Sequence, residues 1–239
     1  MLGTEPRRAL AAQGLPPART IPLEASFASP TAGFVTVFMF VLVRGQEAAI
    51  VDTTIAGNAD LALEGLRSVG LGWDAVRHVI LTHWHPDHAG SAPEIVQSAT
   101  NATIWAGEAD IPNITLPRAI RPANDGDEVF GLRIVATPGH TAGHISVLDP
   151  AASTLMTGDA VFNIGGVLTA SPPAVTADAA LAAASLRKLG GMGFERALVA
   201  HGPPIEEGAA AAIAALAASG VSVQDAHAAA HAVGACCAT

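Results

Sequence analysis

Short apolar runs, several of them rich in β-branched or aromatic side chains, recur along the chain and are separated by polar or glycine-containing segments. The run at residues 34–43 predicts a buried strand, and Gly45-Gln46 predicts the turn into a partner strand at residues 48–51. Further runs of this kind predict strands at residues 78–81, 104–106, 133–136, 145–148, 154–156 and 197–200.

Helix signals lie between these runs. Asn58 is a plausible N-cap, Ser91 and Glu94 have the spacing of a capping box, and Thr176 can cap a later helix. Helices are accordingly predicted at residues 58–68, from 91 onward, at 176–189 and at 208–219. Because strands and helices alternate, we predict an α/β fold in which helices cover both faces of the sheets.

Length and composition agree with one globular domain that carries short tails. The chain has 239 residues, of which 50% are hydrophobic and 14% are charged, as is typical of a globular protein. Residues 1–20 contain three prolines and two glycines and predict an N-terminal arm, and residues 219–239 predict an alanine-rich C-terminal tail. A single domain is therefore predicted at residues 21–218.

The charge balance is acidic, with 21 Asp and Glu against 12 Lys and Arg and a formal net charge of −9. The basic surface that nucleic acids and anionic membranes attract is therefore not expected. The most apolar run, at residues 34–43, ends at Arg44 and is too short to span a bilayer. We expect a small-molecule partner, neither nucleic acid nor a membrane, and leave a homodimer open.

Cysteine usage points to the cytoplasm as the default compartment. Cys236 and Cys237, the two cysteines, are adjacent near the C-terminus, so a disulfide framework is not expected. A secreted form whose leader has been removed is left open. His227 and His231 have i,i+4 spacing in the same tail and could share one face of a helix. We predict that the tail is a disordered alanine-rich segment, and the alternative is a metal site that also uses Cys236 or Cys237.

Seven His and Asp residues at four predicted strand ends carry the candidate chemistry. Four of them form one His-X-His-X-Asp-His segment, in which residues two apart point the same way, so His83 and His85 can bind one metal together. The other three each follow a strand and lie beside a glycine, which permits close backbone approach. The set is His83, His85, Asp87, His88, His140, Asp159 and His201.

Imidazole and carboxylate ligands suit zinc and other borderline divalent ions. We expect two divalent metal ions, with zinc favoured and iron or manganese as alternatives. Two ions that share a carboxylate can lower the pKa of a bridging water and polarise a carbonyl oxygen together. One buried histidine is usually a core residue with a hydrogen-bond partner, but the complete set is far more specific than any one member.

These motifs resemble the metallo-β-lactamase superfamily over residues 21–218. The resemblance rests on IVDT at 50–53, LTHWHPDHAG at 81–90, TPGHTAGH at 137–144 and TGD at 157–159. It implies a four-layer αββα sandwich, two mixed β-sheets flanked by helices, with the metals at one edge. The implied ligands form two groups bridged by Asp159: His83, His85 and His140, and Asp87, His88 and His201. Asp52 is then a support for the metal loop and not a ligand.

The resemblance implies a hydrolase that cleaves an ester, lactone, thioester or amide by attack of a hydroxide bridging the two metals. Asp87 is the expected catalytic residue, because it would both bind metal and orient the nucleophile. His144, four residues after His140, is predicted either to hydrogen-bond a ligand or to be a buried strand histidine with a backbone partner. His78 is more simply explained as structural.

The branch of the family is indicated by Asp159, since the family's true β-lactamases generally have Cys or Ser there, whereas glyoxalase II-like hydrolases and lactonases have Asp. The glutathione-binding part of glyoxalase II is not expected, because no Lys or Arg follows His201 or lies at residues 160–175. A neutral lactone or ester therefore fits better than a charged substrate, although the chain lacks the tyrosine that many lactonases use.

An apolar substrate pocket is predicted beside the metals, with ordinary packing as the alternative. The side chains assigned to it are Phe27, Trp84, Phe162 and Ile164. Three rival functions remain open at this point. They are a persulfide dioxygenase of the same fold, with one iron bound by two His and one Asp, a β-lactamase, and a non-enzymatic binding protein, which would usually have lost a ligand.

Overall fold

Residues 15–29 and 33–219 are described by a computed structural model of the chain, and their strands form two mixed β-sheets and a separate hairpin. The six-stranded sheet has the order β1 (Arg19–Ser29), β2 (Gly33–Arg44), β3 (Glu47–Val51), β4 (Val76–Leu81), β5 (Thr103–Ala106) and β6 (Ile120–Pro122). Neighbours in it are antiparallel from β1 to β3 and parallel from β3 to β6.

The second sheet has five strands, and parallel pairing occurs in it between β10 and β13. Its order is β13 (Arg196–Leu198), β10 (Thr154–Met156), β9 (Ile145–Asp149), β8 (Leu132–Ala136) and β7 (Glu128–Val129). The hairpin consists of β11 (Val161–Ile164) and β12 (Val167–Ala170). The α-helices are α1 (Ala59–Arg67), α2 (Pro86–Ala89), α3 (Ala92–Ser98), α4 (Ala179–Gly190) and α5 (Ala209–Ser219).

Three separate hydrophobic cores give the molecule four layers. Successive strand residues point to opposite faces, so Leu81 packs with α1 and α3 on the outside of the first sheet while Ile80 points between the sheets. In the second sheet, Met156 joins that middle core and Leu155 packs against α4 and α5. The four-layer αββα sandwich of two mixed sheets is therefore confirmed.

Every strand predicted from the apolar runs is present, and the differences lie at element ends and in polar segments. β1 was not predicted, because its half-buried and exposed residues alternate and Pro22 lies within it, as an edge strand permits. It begins at Arg19, inside the predicted arm, and the proposed domain boundary at residue 21 stays a prediction. The β11–β12 hairpin and the short strands β6 and β7 were not predicted, and β13 ends at Leu198, two residues before its predicted end.

The start of α4 corrects the helix prediction. Asp178 is the N-cap, and its carboxylate accepts hydrogen bonds from the backbone N–H groups of Ala180 and Leu181, both at 2.9 Å. Thr176 lies outside the helix, where its hydroxyl donates to the Pro172 carbonyl oxygen at 2.7 Å. Both residue types cap helices well, so the sequence alone could not decide between them.

A helix does begin after Ser91, but the capping-box hydrogen bonds predicted for Ser91 and Glu94 are not formed. Ser91 does stand at the N-cap position of α3, but its hydroxyl donates to the Ile55 carbonyl oxygen at 2.6 Å and caps no helical N–H. Asn58 likewise precedes α1 without a side-chain cap bond. Ser91 instead ties the start of α3 to the loop after β3, which helps to hold the segment that follows β4.

The predicted tail residues His227, His231, Cys236 and Cys237 lie outside the described residues, as does most of the predicted arm. Among residues 15–29 and 33–219, none of the helices combines the length and apolar character that a bilayer crossing requires. The segments that follow β4, β8, β10 and β13 meet at one edge of the two sheets. That edge carries the predicted ligands.

Replacing Ile80 with Ala should lower the free energy of unfolding by about 2–5 kcal/mol, because the fully buried side chain fills the core between the sheets. Urea denaturation followed by circular dichroism measures the change. Leu181→Ala is the control, since Leu181 is 46% exposed and its loss should change the stability by less than about 0.5 kcal/mol. Equal effects of the two substitutions would contradict the layered packing.

Candidate metal centre

Three histidine ring nitrogens converge at the end of β4. His83 Nε2 lies 3.1 Å from His85 Nδ1 and 3.2 Å from His140 Nε2, and the latter two are 2.8 Å apart. Nitrogens bound to one tetrahedral zinc ion at about 2.0–2.1 Å lie about 3.3 Å apart. We call these three residues the first group, and their nitrogens have the spacing of a shared metal.

Hydrogen bonds to the far side of two of these rings leave the converging nitrogens free to bind. His83 Nδ1 lies 3.1 Å from the Thr82 hydroxyl, and His140 Nδ1 lies 2.6 Å from the Ser171 hydroxyl. When the outer nitrogen carries the proton, the inner one presents its lone pair, as metal-binding histidines require. Ser171 stands after β12, thirty-one positions beyond His140, and sequence reasoning did not find it.

The second group consists of Asp87, His88 and His201. Asp87 Oδ2 lies 3.4 Å from His201 Nε2 and 3.9 Å from His88 Nε2. The outer nitrogens are held as in the first group: His88 Nδ1 is 2.9 Å from an Asp52 carboxylate oxygen, and His201 Nδ1 donates to the Thr36 carbonyl oxygen at 2.7 Å. The Thr36 contact is made by the backbone of β2, so no side-chain pattern could have predicted it.

Asp159 lies between the two groups and offers one carboxylate oxygen to each. Its Oδ1 is 3.1 Å from His88 Nε2 and 3.4 Å from His201 Nε2. Its Oδ2 is 3.3 Å from His140 Nε2 and 4.0 Å from His83 Nε2. The side chain is buried. This is the geometry of a carboxylate that can serve two metal positions at once.

The electrostatics divide the site in the same way. Burial lowers the pKa of His83 well below its ordinary value, lowers that of His85, and lowers that of His140 to about 4, so the first group is neutral and offers lone pairs. Burial also disfavours charge on His201, but the carboxylates of Asp159 and Asp87 outweigh it and raise its pKa to about 9.

The same competition acts on His88 and Asp159. Burial alone would lower the pKa of His88, but Asp159 and Asp52 raise it well above the ordinary value. Burial alone would raise the pKa of Asp159, but His88 and His201 hold it well below the ordinary value. The carboxylates thus draw positive charge into the second group, where a divalent cation would supply it instead.

The donor set fits divalent metal ions. His88 Nε2 and Asp159 Oδ1 are fully buried and 3.1 Å apart, yet their geometry gives neither atom a hydrogen-bond partner among the described residues. Unpartnered buried polar atoms are rare because they lose solvation without compensation. Both atoms face the space between the groups. Three sets of side chains here could each hold an ion, namely the first group, the second group, and His83 with His88 and Asp159.

Asp52 organises the segment that carries four of the predicted ligands. Its carboxylate accepts hydrogen bonds from the Thr82 backbone N–H at 2.7 Å and the Thr82 hydroxyl at 2.8 Å, besides its contact with His88. Its backbone has φ 60°, a left-handed conformation that Asp tolerates better than most residues. Asp52 contacts the outer nitrogen of His88 and not its inner one, as a residue that supports the ligands would.

His144 contacts a predicted ligand through the backbone. Its Nε2 accepts a hydrogen bond from the Asp159 N–H at 3.0 Å, and its Nδ1 lies 2.8 Å from the Thr137 hydroxyl. Burial lowers the pKa of His144 to about 3, so the ring stays neutral. Gly158, at φ 53°, permits this approach, because a Cβ there would lie 2.7 Å from His144 Nε2. His144 therefore hydrogen-bonds a predicted ligand through the backbone of that residue, and it lies just before β9 and not within a strand.

A pocket of about 340 Å³ opens beside the first group. It is lined by His85, by Trp84, and by residues from the segments 110–113, 140–142 and 174–177. Of the four side chains assigned to a substrate pocket, Trp84 lines it and Phe27, Phe162 and Ile164 do not. Phe162 is instead buried with its ring stacked on that of His201, the centroids 4.9 Å apart at 8°.

Asp110 is a second site residue that sequence reasoning missed. Its fully buried carboxylate accepts a hydrogen bond from the Thr141 hydroxyl at 2.6 Å and from the Gly143 N–H at 2.7 Å. It therefore fixes the turn that follows His140. Asp110 stands in a 3-10 segment with no apolar periodicity or neighbouring ligand type, so the sequence carried no signal for this role.

A family model of the metallo-beta-lactamase superfamily matches residues 32–201, which include all seven predicted ligands. The chain belongs to the metallo-β-lactamase superfamily. Among solved structures, a family member from Thermus thermophilus matches with a TM-score of 0.66 and 23% identity, covering 88% of this chain and 79% of that one. That structural likeness supports the fold alone.

Curated relatives of this family match about half of the chain. A lactamase-like protein from Penicillium aethiopicum is 34% identical over 137 residues, 55% of this chain and 40% of the relative. A hydroxyacylglutathione hydrolase from Rhodospirillum rubrum is 36% identical over 123 residues, 49% of this chain and 44% of the relative. In both cases the match spans less than half of the relative's own length.

Replacing Ser171 with Ala should weaken metal binding about 10- to 100-fold, because His140 loses the hydroxyl that fixes its ring. Titration of the chelator-treated protein with zinc or cobalt measures the effect, and Ser171→Thr should restore most of the affinity. Ser68→Ala is the matched control, since that exposed hydroxyl bonds the Gly65 carbonyl oxygen on α1, away from the site. Unchanged affinity in Ser171→Ala would refute a positioning role for Ser171.

Proposed function

We propose that this chain is a metal-dependent hydrolase that holds two divalent ions and cleaves an uncharged ester or lactone. The observation that carries the proposal is the position of Asp159, which offers one buried oxygen to each of two complete ligand groups. A protein with one metal would need only one of these groups. Family membership supports metal-dependent chemistry, and zinc suits the imidazole and carboxylate donors best.

The residues of the first group would hold one ion and those of the second group the other. Two divalent ions, when bound, supply a water of lowered pKa and polarise the substrate carbonyl oxygen. Asp87 would orient the attacking water, because its side chain is 24% exposed and so can reach a water molecule. Its neighbours His201 and Asp159 are buried. Burial would raise the pKa of Asp87, but His201 and His88 lower it, so its carboxylate is ionised and can accept a hydrogen bond from that water.

The surrounding hydrogen bonds hold the ring protons of three of the histidines on the side away from the reacting centre. Protons on the outer nitrogens of His88, His140 and His201 are held by Asp52, by Ser171 and by the Thr36 carbonyl oxygen. Water then adds to the carbonyl carbon, the bond from that carbon to the ester oxygen breaks, and the proton of water passes to the departing alcohol through Asp87.

An uncharged substrate is favoured because the described pocket lining contains no Lys or Arg side chain. A thioester of glutathione carries carboxylates that need such partners, so we do not expect this chain to share the activity that names the relative from Rhodospirillum rubrum. The chain's acidic balance, with a net charge of −9, also disfavours an anionic substrate.

The rival activities receive less support from the geometry. A dioxygenase that binds one iron through two His and one Asp would leave the second group without a role, yet its members are held as firmly as those of the first. A β-lactamase of this family generally has Cys or Ser where this chain has Asp159. We therefore favour the glyoxalase II-like and lactonase-like branch in mechanism and a neutral substrate in specificity.

Metal quantification followed by a substrate panel tests the proposal directly. We expect about two zinc-like ions per chain and turnover of neutral aryl esters or lactones, with slower turnover of glutathione thioesters and of nitrocefin. One iron per chain with persulfide-dependent oxygen uptake would support the dioxygenase instead. Rapid nitrocefin cleavage with no esterase or lactonase activity would support a β-lactamase.

Replacing His85 or Asp159 with Ala should remove most of the bound metal and lower kcat/KM by more than about 100-fold, because each change deletes a ligand rather than its support. Metal analysis and ester hydrolysis give the two readouts. His78→Ala is the control, since His78 lies away from the site and accepts a hydrogen bond from the Trp105 ring. A variant that is metal-free and fully active would sink the proposal.

A further inference from the structure

The pocket beside the first group has walls of two kinds. Trp84 forms one side, with its ring 4.5 Å from that of His85 in an edge-on arrangement. Residues 174–177 also line the pocket, and among them Val175 is 48% exposed and Ala174 and Ala177 are small and apolar. His85 and His140 line the same pocket, so a group bound there would lie next to the reacting centre.

The wall at residues 174–177 is fastened to the site itself. The Ala177 N–H donates to the His140 carbonyl oxygen at 3.1 Å, and the Asp178 N–H donates to the Gly139 carbonyl oxygen at 2.9 Å. α4 then packs so closely that a Cβ on Gly139 would lie 2.1 Å from the Ala182 nitrogen. These backbone bonds tie the end of this wall to the turn that carries His140, as a specificity wall requires.

The chemistry of the lining favours an uncharged aliphatic group. The polar members Asn113, Thr141 and Thr176 are neutral, and the Asp110 carboxylate is already occupied by Thr141 and Gly143. None of the described lining residues is Lys or Arg, so an anionic substituent would lose hydration here without a cationic side chain to pair with. An alkyl chain would instead gain contact with Trp84 and Val175.

We propose that this pocket binds the acyl group of the substrate, as an uncharged aliphatic chain, and that Val175 determines which acyl groups are accepted. The assignment rests on the proposed hydrolase function. The two parts of an ester separate at the carbonyl carbon, and Asp87, which would pass the proton to the alcohol, belongs to the second group. The alcohol therefore leaves on that side, and the acyl group occupies the pocket beside His85 and His140.

The test compares 4-nitrophenyl esters that differ only in the acyl group. For the zinc-loaded wild-type protein, kcat/KM for the butanoate should exceed that for the hemisuccinate, of equal chain length, by at least about tenfold. Val175→Arg should reduce that preference by about tenfold or reverse it, since the guanidinium would pair with the added carboxylate. Ala184→Arg on α4 is the matched control, because Ala184 is exposed, is absent from the pocket lining and receives the same charge.

A second variant separates the acyl group from the alcohol. Val175→Phe should lower kcat/KM for the hexanoate more than for the acetate, because the larger ring shortens the pocket. The same variant should affect methyl and butyl butanoate equally. The proposal is overturned if the alcohol series responds to Val175 and the acyl series does not, or if the wild-type protein cleaves butanoate and hemisuccinate equally well.

Binding without turnover distinguishes failure of this proposal from failure of the hydrolase function. Hexanamide should quench the fluorescence of Trp84 in a saturable way, whereas succinamate should not, and Trp84→Phe should abolish the response. Trp105 is hydrogen-bonded to His78 elsewhere, and Trp73 precedes β4 outside the pocket lining, so these two residues provide the constant background. Quenching without any ester cleavage would retain the pocket and reject the hydrolase, while ester cleavage without quenching by hexanamide would reject the pocket.

Discussion

One buried carboxylate, that of Asp159, is the constraint on which the site depends. It lies among four histidine rings, with Oδ1 toward His88 and His201 and Oδ2 toward His140 and His83. An ionised group in such a position is unfavourable unless positive charge and directed donors surround it. The neighbouring features can be understood as conditions for placing that carboxylate, including Gly158 at positive φ and the bond from the Asp159 N–H to His144.

The two sheets must pack together before this arrangement can exist. His83, His85, Asp87 and His88 follow β4 of the first sheet, whereas His140, Asp159 and His201 follow strands of the second. Each ligand group therefore combines side chains from both sheets. The middle core, with Ile80 on one side and Met156 on the other, sets the distance between them. The geometry of the site therefore depends on the packing of the sandwich, because a shift of one sheet would move the members of each group apart.

The sequence predicted what depends on local pattern and on strand ends. Short apolar runs located the strands, and ligand-type residues directly after them pointed to the edge at which the seven side chains meet. It could not supply the partners that hold those side chains. Ser171 is distant in the chain from His140, and the Thr36 contact uses a carbonyl oxygen that every residue possesses. The prediction of the pocket residues was wrong at Phe162 for a related reason. An apolar side chain can face substrate or pack inside the protein, and the sequence gave no sign that Phe162 would stack on His201.

The number and position of the ions test the central claim most directly. Crystals of the zinc-loaded protein, measured on both sides of the zinc absorption edge, would locate each ion by its anomalous signal. The account predicts two peaks, one beside Asp159 Oδ2 within the first group and one beside Oδ1 within the second. A single fully occupied peak, with Asp87 and His201 bound to no ion, would contradict it.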